Sequence, residues 1–483
     1  MSTAATSTAA TSTVEASTVV CVDFGSTFTK AALVDLERGT IVAAASHPTT
    51  LPATLPDGRV VGDVLDGYDA CLATLVAQDA RAADADVLAC SSAGGGLRIA
   101  VVGNEELVTA EAGRRVALSS GGKVVAVRAV SREDDLADLD DPDVVLLTGG
   151  TDGGNAEPLL AAARGIVDGG WRGPVVVAGN VDAQTEVAAV LAGLPVVLAD
   201  NVVPRIGVLA PDSARAAIRE MFLSHVIGGK HLSAHTSADG HVFTAMVRGA
   251  TPDVVLTGVE LLARGLGPED PGAGDVVVVD IGGATTDVHT VVELDPEDAG
   301  LSRDVVALTP VTRTVEGDLG MRWSAVSTVE EAGLADLADA AARRRTHPGF
   351  LPADDPEHED EEREVDEAIA RAAVDLALKR HAGRSRVVVS PEGRVVERTG
   401  KDLREVDLLV GSGGVLRHGA DGVVRRVLAP STGEHVEGGW QLPRAPRIVV
   451  DRDYVLAAAG LLVARHPVAA HRLVQRLAAG ADG

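Results

Sequence analysis

The chain has 483 residues, 46% of them hydrophobic, which is enough for a large core and more than one domain-sized unit. Its net charge of -27 argues against a nucleic-acid or anionic-membrane partner, because binding to phosphate backbones depends on clustered Lys and Arg. The sequence contains neither an apolar run of membrane-spanning length nor a secretory signal, which predicts a cytoplasmic location. Aromatic residues make up only 2%, so small aliphatic side chains must fill the core, which favours an α/β fold.

The N-terminal region divides into a polar tail and a β-rich start. Residues 1–18 are almost entirely Ala, Ser and Thr, which predicts a disordered tail. The apolar run 19–22 follows, then a polar, glycine-containing turn, and then a second apolar run at 31–34. This pattern is typical of a β-hairpin.

The middle of the first half has the rhythm of a parallel sheet. Apolar runs at 144–147, 175–178 and 196–199 alternate with Ala-rich helical stretches, and each run ends in a loop of Gly, Asn or Asp. Strands and helices that alternate in this way indicate βαβ units. We therefore predict a first lobe over 19–264 with a βαβ insertion at about 140–210.

A second hairpin pattern suggests that the chain is duplicated. The segment 275–279, one aspartate followed by four valines, leads into a turn at 280–287, and alignment on the first hairpin places Asp280 under Asp23, Gly282 under Gly25 and Thr286 under Thr29. A Gly- and Pro-rich boundary at 265–274 precedes it. The second lobe is expected over 275–483, with a helical, acidic insertion at about 330–382.

Both hairpin turns have the chemistry of a phosphate loop. A strand ending in Asp-x-Gly and followed by Ser or Thr lets the backbone approach a phosphate, while the Asp can hold Mg²⁺, usually through water. A single such loop is common as a plain hairpin, but two that face each other could grip the β- and γ-phosphates from both sides. The candidate binding residues are Gly25, Ser26, Thr27 and Lys30 in the first loop and Gly282, Gly283, Thr285 and Thr286 in the second.

A third glycine-rich turn follows the apolar run 408–410. Gly411, Gly413 and Gly414 offer bare backbone to an adenine ring or a phosphate, although a simple tight turn explains them equally well. Residues 453–462 form a small-residue helix pattern, which suits two lobes that pack closely and rotate. The three cysteines, Cys21, Cys71 and Cys90, are widely separated and are expected to be buried thiols.

Taken together, these motifs resemble the superfamily of acetate and sugar kinases, Hsp70 and actin. The resemblance implies a duplicated ribonuclease H-like fold of two lobes around a nucleotide cleft, with ATP and Mg²⁺ as cofactors. It also implies that Asp23 and Asp280 organise the metal and the attacking water or hydroxyl, and that 453–462 is the second connecting helix. The stretch 314–322 is the candidate for the first connecting segment, although its position departs from the superfamily order.

Five motifs are similar in sequence to those of one family, the MutL/GlmL accessory proteins of coenzyme-B12-dependent glutamate mutase. They are VDFGSTFTK (22–30), ACSSAGGGLR (89–98), TGGTDGGN (148–155), VDIGGATTDVH (279–289) and TVEGDLGMR (314–322). The resemblance implies an Mg-ATP-dependent ATPase that reactivates a B12-dependent mutase such as methylaspartate mutase, with the mutase subunits as partners. Glu316, in the last motif, is a candidate to orient water, against the alternative of a solvated acidic loop.

Two other functions remain open at this point. A small-molecule kinase of the same fold would need a general-base Asp in an acceptor pocket, and the sequence identifies none. A non-catalytic scaffold would bind ATP without hydrolysing it. The motifs ACSSAGGGLR and TGGTDGGN could each contact an anion or form a tight turn.

Overall fold

The structure is a computed structural model that describes residues 17–129, 138–293, 309–346, 356–390, 393–434 and 437–480. Most of the tail predicted over 1–18 lies outside the described residues. Thr18, its last member, already belongs to the first strand.

The strands, in chain order, are β1 (Thr18–Phe24), β2 (Phe28–Asp35), β3 (Thr40–Pro48), β4 (Ala53–Thr54), β5 (Val60–Val61), β6 (Asp86–Ser91), β7 (Leu97–Gly103), β8 (Gly122–Ala129), β9 (Val144–Leu147), β10 (Val175–Val177), β11 (Val196–Leu198), β12 (Val247–Ala250), β13 (Gly265–Gly267), β14 (Asp270–Pro271), β15 (Val276–Ile281), β16 (Thr286–Val291), β17 (Val311–Glu316), β18 (Arg384–Ser390), β19 (Gly393–Thr399), β20 (Leu408–Ser412) and β21 (Arg447–Val450).

The α-helices are α1 (Val64–Gln78), α2 (Glu111–Ser119), α3 (Glu157–Asp168), α4 (Gln184–Val190), α5 (Asp212–Met221), α6 (Ile227–Gly229), α7 (Phe243–Met246), α8 (Thr251–Arg264), α9 (Ala325–Glu331), α10 (Ala338–Thr346), α11 (Pro356–His381), α12 (Gly414–Arg417), α13 (Val423–Val427), α14 (Val455–Leu462) and α15 (Pro467–Ala479). None of these described helices is both long and apolar enough to cross a membrane.

Two five-stranded sheets share one topology. The strand order is β3-β2-β1-β6-β12 in the first sheet and β17-β16-β15-β20-β21 in the second. In each, an antiparallel meander supplies three strands, and the two remaining strands run parallel to the first strand of the meander. This 3-2-1-4-5 order is the ribonuclease H-like fold, present twice, which confirms the predicted duplication.

A third sheet is inserted between β6 and β12. Its order is β11-β10-β9-β7-β8 and all of its strands are parallel, so the three strands expected at 144–147, 175–178 and 196–199 are confirmed. The insertion is larger than the predicted 140–210, because the sheet also takes β7 and β8 and so reaches back to Leu97. The sequence hid this because only a short turn separates β6 from β7, as in a hairpin, although the two strands belong to different sheets.

Helices α8 and α14 lie between the two duplicated sheets and cross each other. One buried cluster joins them to β1 and β15 and includes Val19, Cys21, Leu262, Val276, Val278, Leu456 and Ala459. A Cβ atom at Gly258 would collide with the carbonyl oxygen of Leu456, and one at Gly460 with that of Val254. The helices therefore approach to a distance that only glycine permits at these two positions.

This crossing corrects the candidate for the first connecting segment. Residues 314–322 form the end of β17 and a turn that packs on the second hairpin, where the Met321 amide donates to Gly282 and the Arg322 amide to Gly283. The helix that pairs with α14 is instead α8. Within the stretch 330–382, where a helical, acidic insertion is predicted, α11 spans Pro356–His381. All three cysteines are buried and free.

Candidate functional site

The two predicted phosphate loops form the same tight turn at the ends of β1 and β15. The Gly25 amide donates to the Phe28 carbonyl at 3.1 Å, and the Gly282 amide donates to the Thr285 carbonyl at 2.8 Å. A Cβ atom would lie 2.6 Å from the Phe28 oxygen at Gly25 and 2.8 Å from the Thr285 oxygen at Gly282. Both turns therefore need glycine because the acceptor carbonyl occupies the space of a side chain.

Asp23 lies at the end of β1 and is only 9% exposed. Its Oδ1 accepts a hydrogen bond from the Thr251 hydroxyl at 2.6 Å and one from the Cys90 thiol at 3.6 Å. Lys30 Nζ lies 3.6 Å from its other oxygen. Local sequence patterns do not reveal the contacts of Thr251 and Cys90, because each residue reaches Asp23 only through the parallel strands β6 and β12, which follow far along the chain.

Asp280 occupies the equivalent place in the second sheet. It lies opposite Asp287 on β16 and opposite Ser412 on β20, just as Asp23 lies opposite Lys30 and Cys90. Burial raises the pKa of Asp280, the Lys30 ammonium opposes this shift, and the carboxylates of Asp287 and Asp23 reinforce it. The site thus contains acidic groups from both lobes that are close enough to affect one another.

Lys30 interacts electrostatically with the carboxylates of both Asp23 and Asp280. Burial lowers the pKa of Lys30, but Asp23, Tyr454 and Asp280 together raise it above its ordinary value, so the ammonium stays charged. Its Nζ lies 3.9 Å from the centroid of the Tyr454 ring. In the second hairpin the equivalent residue is Asp287, so one loop presents a cation where the other presents an anion.

Asp451 follows directly after β21 and lies next to the first turn of α14. Asp451 is buried and accepts hydrogen bonds from the amides of Val455 at 2.7 Å and Leu456 at 3.1 Å, which caps the start of α14. Burial raises the pKa of Asp451 to about 6, against the effect of these hydrogen bonds and of Arg417. An acidic residue just before a helix is a start signal that could have drawn attention to Asp451 in the sequence.

The remaining residues of the two hairpin loops differ in exposure. Ser26 is exposed, while Thr27, Gly283 and Thr285 are partly exposed and available to a ligand. Thr286 is fully buried within β16, so its side chain lies inside the sheet and not on the loop surface.

The three glycines of the third loop have different surroundings. A Cβ atom at Gly411 would lie 2.5 Å from a Leu416 methyl and 2.7 Å from a Leu428 methyl, so this glycine serves core packing. Gly413, at φ 110°, passes so close to the Ile281 carbonyl that a side chain would collide with it. A Cβ atom at Gly414 would have no neighbour within 4 Å and would point into open space. Gly413 thus brings the third loop against the second phosphate loop.

Glu316 ends β17, two strands away from β15 and Asp280. Its Oε2 lies 2.9 Å from Arg380 Nη1, and the same nitrogen lies 2.8 Å from Asp318. The carboxylate of Glu316 is therefore held in an ion-pair network with α11, at the same end of the sheet as Asp280.

Two ribonuclease H-like units, each with an Asp-Gly hairpin at the same end of its sheet and joined by crossing helices, define the class of actin, Hsp70 and the sugar kinases. Within this class the chain belongs to the MutL protein family, which matches residues 19–477. It is 34% identical over 473 residues to "Protein MutL" of Clostridium tetanomorphum, and the alignment covers 94% of this chain and 98% of that protein.

Solved structures overlap the chain only loosely. The glycerol dehydratase reactivase is 12% identical, with 92% of this chain and 99% of that chain covered at a TM-score of 0.29. The activator of 2-hydroxyisocaproyl-CoA dehydratase from Clostridium difficile with bound ADPNP is 11% identical, with 94% and 95% covered at a TM-score of 0.29.

Proposed function

We propose that this protein binds Mg-ATP between the hairpin loops that carry Asp23 and Asp280, and hydrolyses it to serve a B12-dependent mutase as an accessory or reactivating factor. The observation that carries the ATPase proposal is the position of Lys30. Its Nζ lies 3.6 Å from a carboxylate oxygen of Asp23 in its own lobe. Its positive charge also acts to lower the pKa of Asp280 in the other lobe, against the effect of burial. A cation between two matched phosphate loops is suited to a polyphosphate.

The donor set fits Mg²⁺. Proteins hold Mg²⁺ through one or two carboxylates together with phosphate oxygens and water, and Asp23 and Asp280 supply two such carboxylates. Burial raises the pKa of Asp280, with a smaller contribution from the carboxylates of Asp287 and Asp23, and a bound cation would favour the charged form of this carboxyl. When bound, the metal would neutralise charge that develops on the phosphate oxygens.

Other residues of the two loops would contact the phosphates and compensate their charge. The turns at Gly25 and Gly282 place backbone close to the phosphates, and the hydroxyls of Ser26, Thr27 and Thr285 can donate to phosphate oxygens. Lys30 compensates negative charge at the point where the two lobes meet. Because α8 and α14 cross at glycines, the two lobes can change their relative angle about this contact.

The proposal of a mutase partner is supported by family membership, since the five motifs VDFGSTFTK, ACSSAGGGLR, TGGTDGGN, VDIGGATTDVH and TVEGDLGMR resemble in sequence those of the B12-mutase accessory family. The ATPase half is tested with purified protein and Mg-ATP alone. Steady release of phosphate without any acceptor supports it. Release that begins only when a small acceptor is added would indicate a kinase instead.

A further inference from the structure

A cavity of about 170 Å³ lies beside the candidate nucleotide site, between the first sheet and the first turns of α14. Asp23 and Lys30 stand at its edge. Among the described residues, the glycine turns at 25–27, 282–285 and 411–414 do not line it. The cavity therefore opens on a different side of Asp23 from the phosphate loops.

Small side chains create the space. Cys21, Ala32 and Ala44 lie side by side across β1, β2 and β3 and form the floor, and Ala457 and Ala458 of α14 face them. Elsewhere on this side of β1 and β2 the positions are filled by larger residues such as Val19 and Val34. Ala44 is exposed, so the cavity opens to solvent along the edge strand β3.

The polar wall contains both signs of charge. Asp23, Lys30 and Ser46 lie side by side one pleat further along the same three strands, and Arg417 and Asp453 complete the lining. Two carboxylates and two cations thus border a cavity whose floor is apolar. A ligand that carries one positive and one negative group complements such a wall.

Tyr454 adds a strained residue at the same place. Its backbone is left-handed, with φ 57° and ψ 37°, which is rare for a bulky side chain and persists only where the surrounding structure holds it. Lys30 Nζ lies 3.9 Å and the Arg417 guanidinium 3.6 Å from the centre of its ring. The ring therefore keeps both cations at the cavity.

We propose that this cavity binds a small zwitterion, specifically an α-amino acid. Its volume of about 170 Å³ is similar to that of an engineered protein cavity of about 150 Å³ that binds benzene, so a ligand of that size suits it. The carboxylate of the ligand pairs with Arg417 and Lys30, its ammonium pairs with Asp453 and Asp23, and its apolar carbons lie on the alanine floor. Because Asp23 and Lys30 also belong to the proposed ATP site, the amino acid and the nucleotide would share these two side chains.

The test is titration calorimetry of the full chain without nucleotide. Glycine, L-alanine, L-valine and L-glutamate are each compared with the analogue that lacks the amino group and the one that lacks the carboxylate. At least one amino acid should bind about tenfold more tightly than both of its analogues, a difference of about 1.4 kcal/mol. Analogues that bind as tightly as every amino acid, or no binding up to about 10 mM, overturn the proposal.

Variants locate the binding. Ala44→Leu fills the mouth of the cavity at an exposed edge-strand position and should abolish binding, whereas Ala73→Leu, on the exposed side of α1, should leave it unchanged. Arg417→Gln should weaken binding at least about tenfold by removing one charge partner. Binding that survives Ala44→Leu in a protein with unchanged thermal melting contradicts the assignment. A fluorescent ATP analogue titrated in parallel reports separately on the nucleotide site.

Discussion

Asp23 and Asp280 occupy equivalent positions, but their neighbours differ, since Asp23 is paired with Lys30 and Asp280 lies opposite Asp287. Asp23→Asn and Asp280→Asn should each slow ATP hydrolysis at least about tenfold, or about 1.4 kcal/mol, and weaken ATP binding less. The reason is that both carboxylates act on the metal and on charge that develops in the transition state. Steady-state rates and binding isotherms of the same preparations measure the two effects. Equal losses would show that the carboxylates only help to bind.

The two adjacent glycines of the second loop offer a matched pair. A Cβ atom at Gly282 would lie 2.8 Å from the Thr285 carbonyl, whereas at Gly283 its nearest neighbours are side-chain carbons of Arg322 at 3.6 Å. Gly282→Ala should therefore cost about 1–3 kcal/mol of unfolding free energy, and Gly283→Ala should stay within about 0.5 kcal/mol of wild type. Urea denaturation measures both. Similar values for the two variants would contradict the turn geometry.

A buried lysine outside the site makes stability depend on pH. Lys401 is 3% exposed, and its Nζ lies 2.6 Å from the Thr312 hydroxyl and 2.8 Å from the Thr309 carbonyl. Burial, aided by the charge of Arg115 and opposed by Asp275, lowers the pKa of Lys401 from 10.5 to about 7. Between these two values the unfolded chain holds a proton that the folded chain has released, so stability rises with pH across this window.

The variant Lys401→Met isolates this contribution. The unfolding free energy of the wild type should rise from pH 7 to pH 9 by more than that of the variant, since methionine fills similar space without a titrating group. Denaturant midpoints at several pH values give the two slopes, and Lys123→Met, on the exposed end of β8, is the control. Parallel slopes for wild type and Lys401→Met would show that Lys401 keeps its ordinary pKa.

At the scale of elements, the crossing of α8 and α14 decides how closely the two lobes approach. Gly258→Ala and Gly460→Ala should each lower the unfolding free energy by about 1–3 kcal/mol, because the new Cβ atoms collide with backbone carbonyls. Gly228→Ala makes the same change in α6, where the new Cβ atom would meet no atom within 4 Å outside the backbone of its own helix, and should raise stability by up to about 1 kcal/mol. Thermal melting distinguishes the two directions. A loss of stability in all three variants would point to a general effect of alanine.

Local patterns were enough to predict both hairpins and β9, β10 and β11, because apolar β-branched runs that end in Gly or Asp show in any short window of the sequence. They were not enough for contacts made across the fold. Thr251 reaches Asp23 only because β12 joins the first sheet beside β6, and the pairing of α8 with α14 depends on single glycines within ordinary helix sequences. The left-handed Tyr454 is likewise set by its surroundings, since tyrosine has no local preference for positive φ.

At the scale of the whole molecule, the chain combines a duplicated core with a large inserted sheet. The candidate nucleotide loops lie at the ends of β1 and β15, and the third loop touches the second through Gly413. The inserted parallel sheet lies between β6 and β12 of the first lobe, so a change in lobe angle would carry it along. This arrangement suits a protein that converts the state of a nucleotide into the displacement of a partner.

The proposed role therefore predicts that the protein, with Mg-ATP and free coenzyme, restores activity to a B12-dependent carbon-skeleton mutase that turnover has inactivated. Restoration should need hydrolysis, because lobes held in one nucleotide state cannot cycle. The mutase is inactivated, then incubated with coenzyme and either ATP or a non-hydrolysable analogue, in the presence of wild type or Asp280→Asn. Activity should return with wild type and ATP, and much less in the other arms. If mutase activity does not return with wild type and ATP, or returns equally with the analogue, ATP-driven reactivation is excluded and a kinase or scaffold is favoured. Phosphate release measured in the same tubes shows whether the ATPase itself is active.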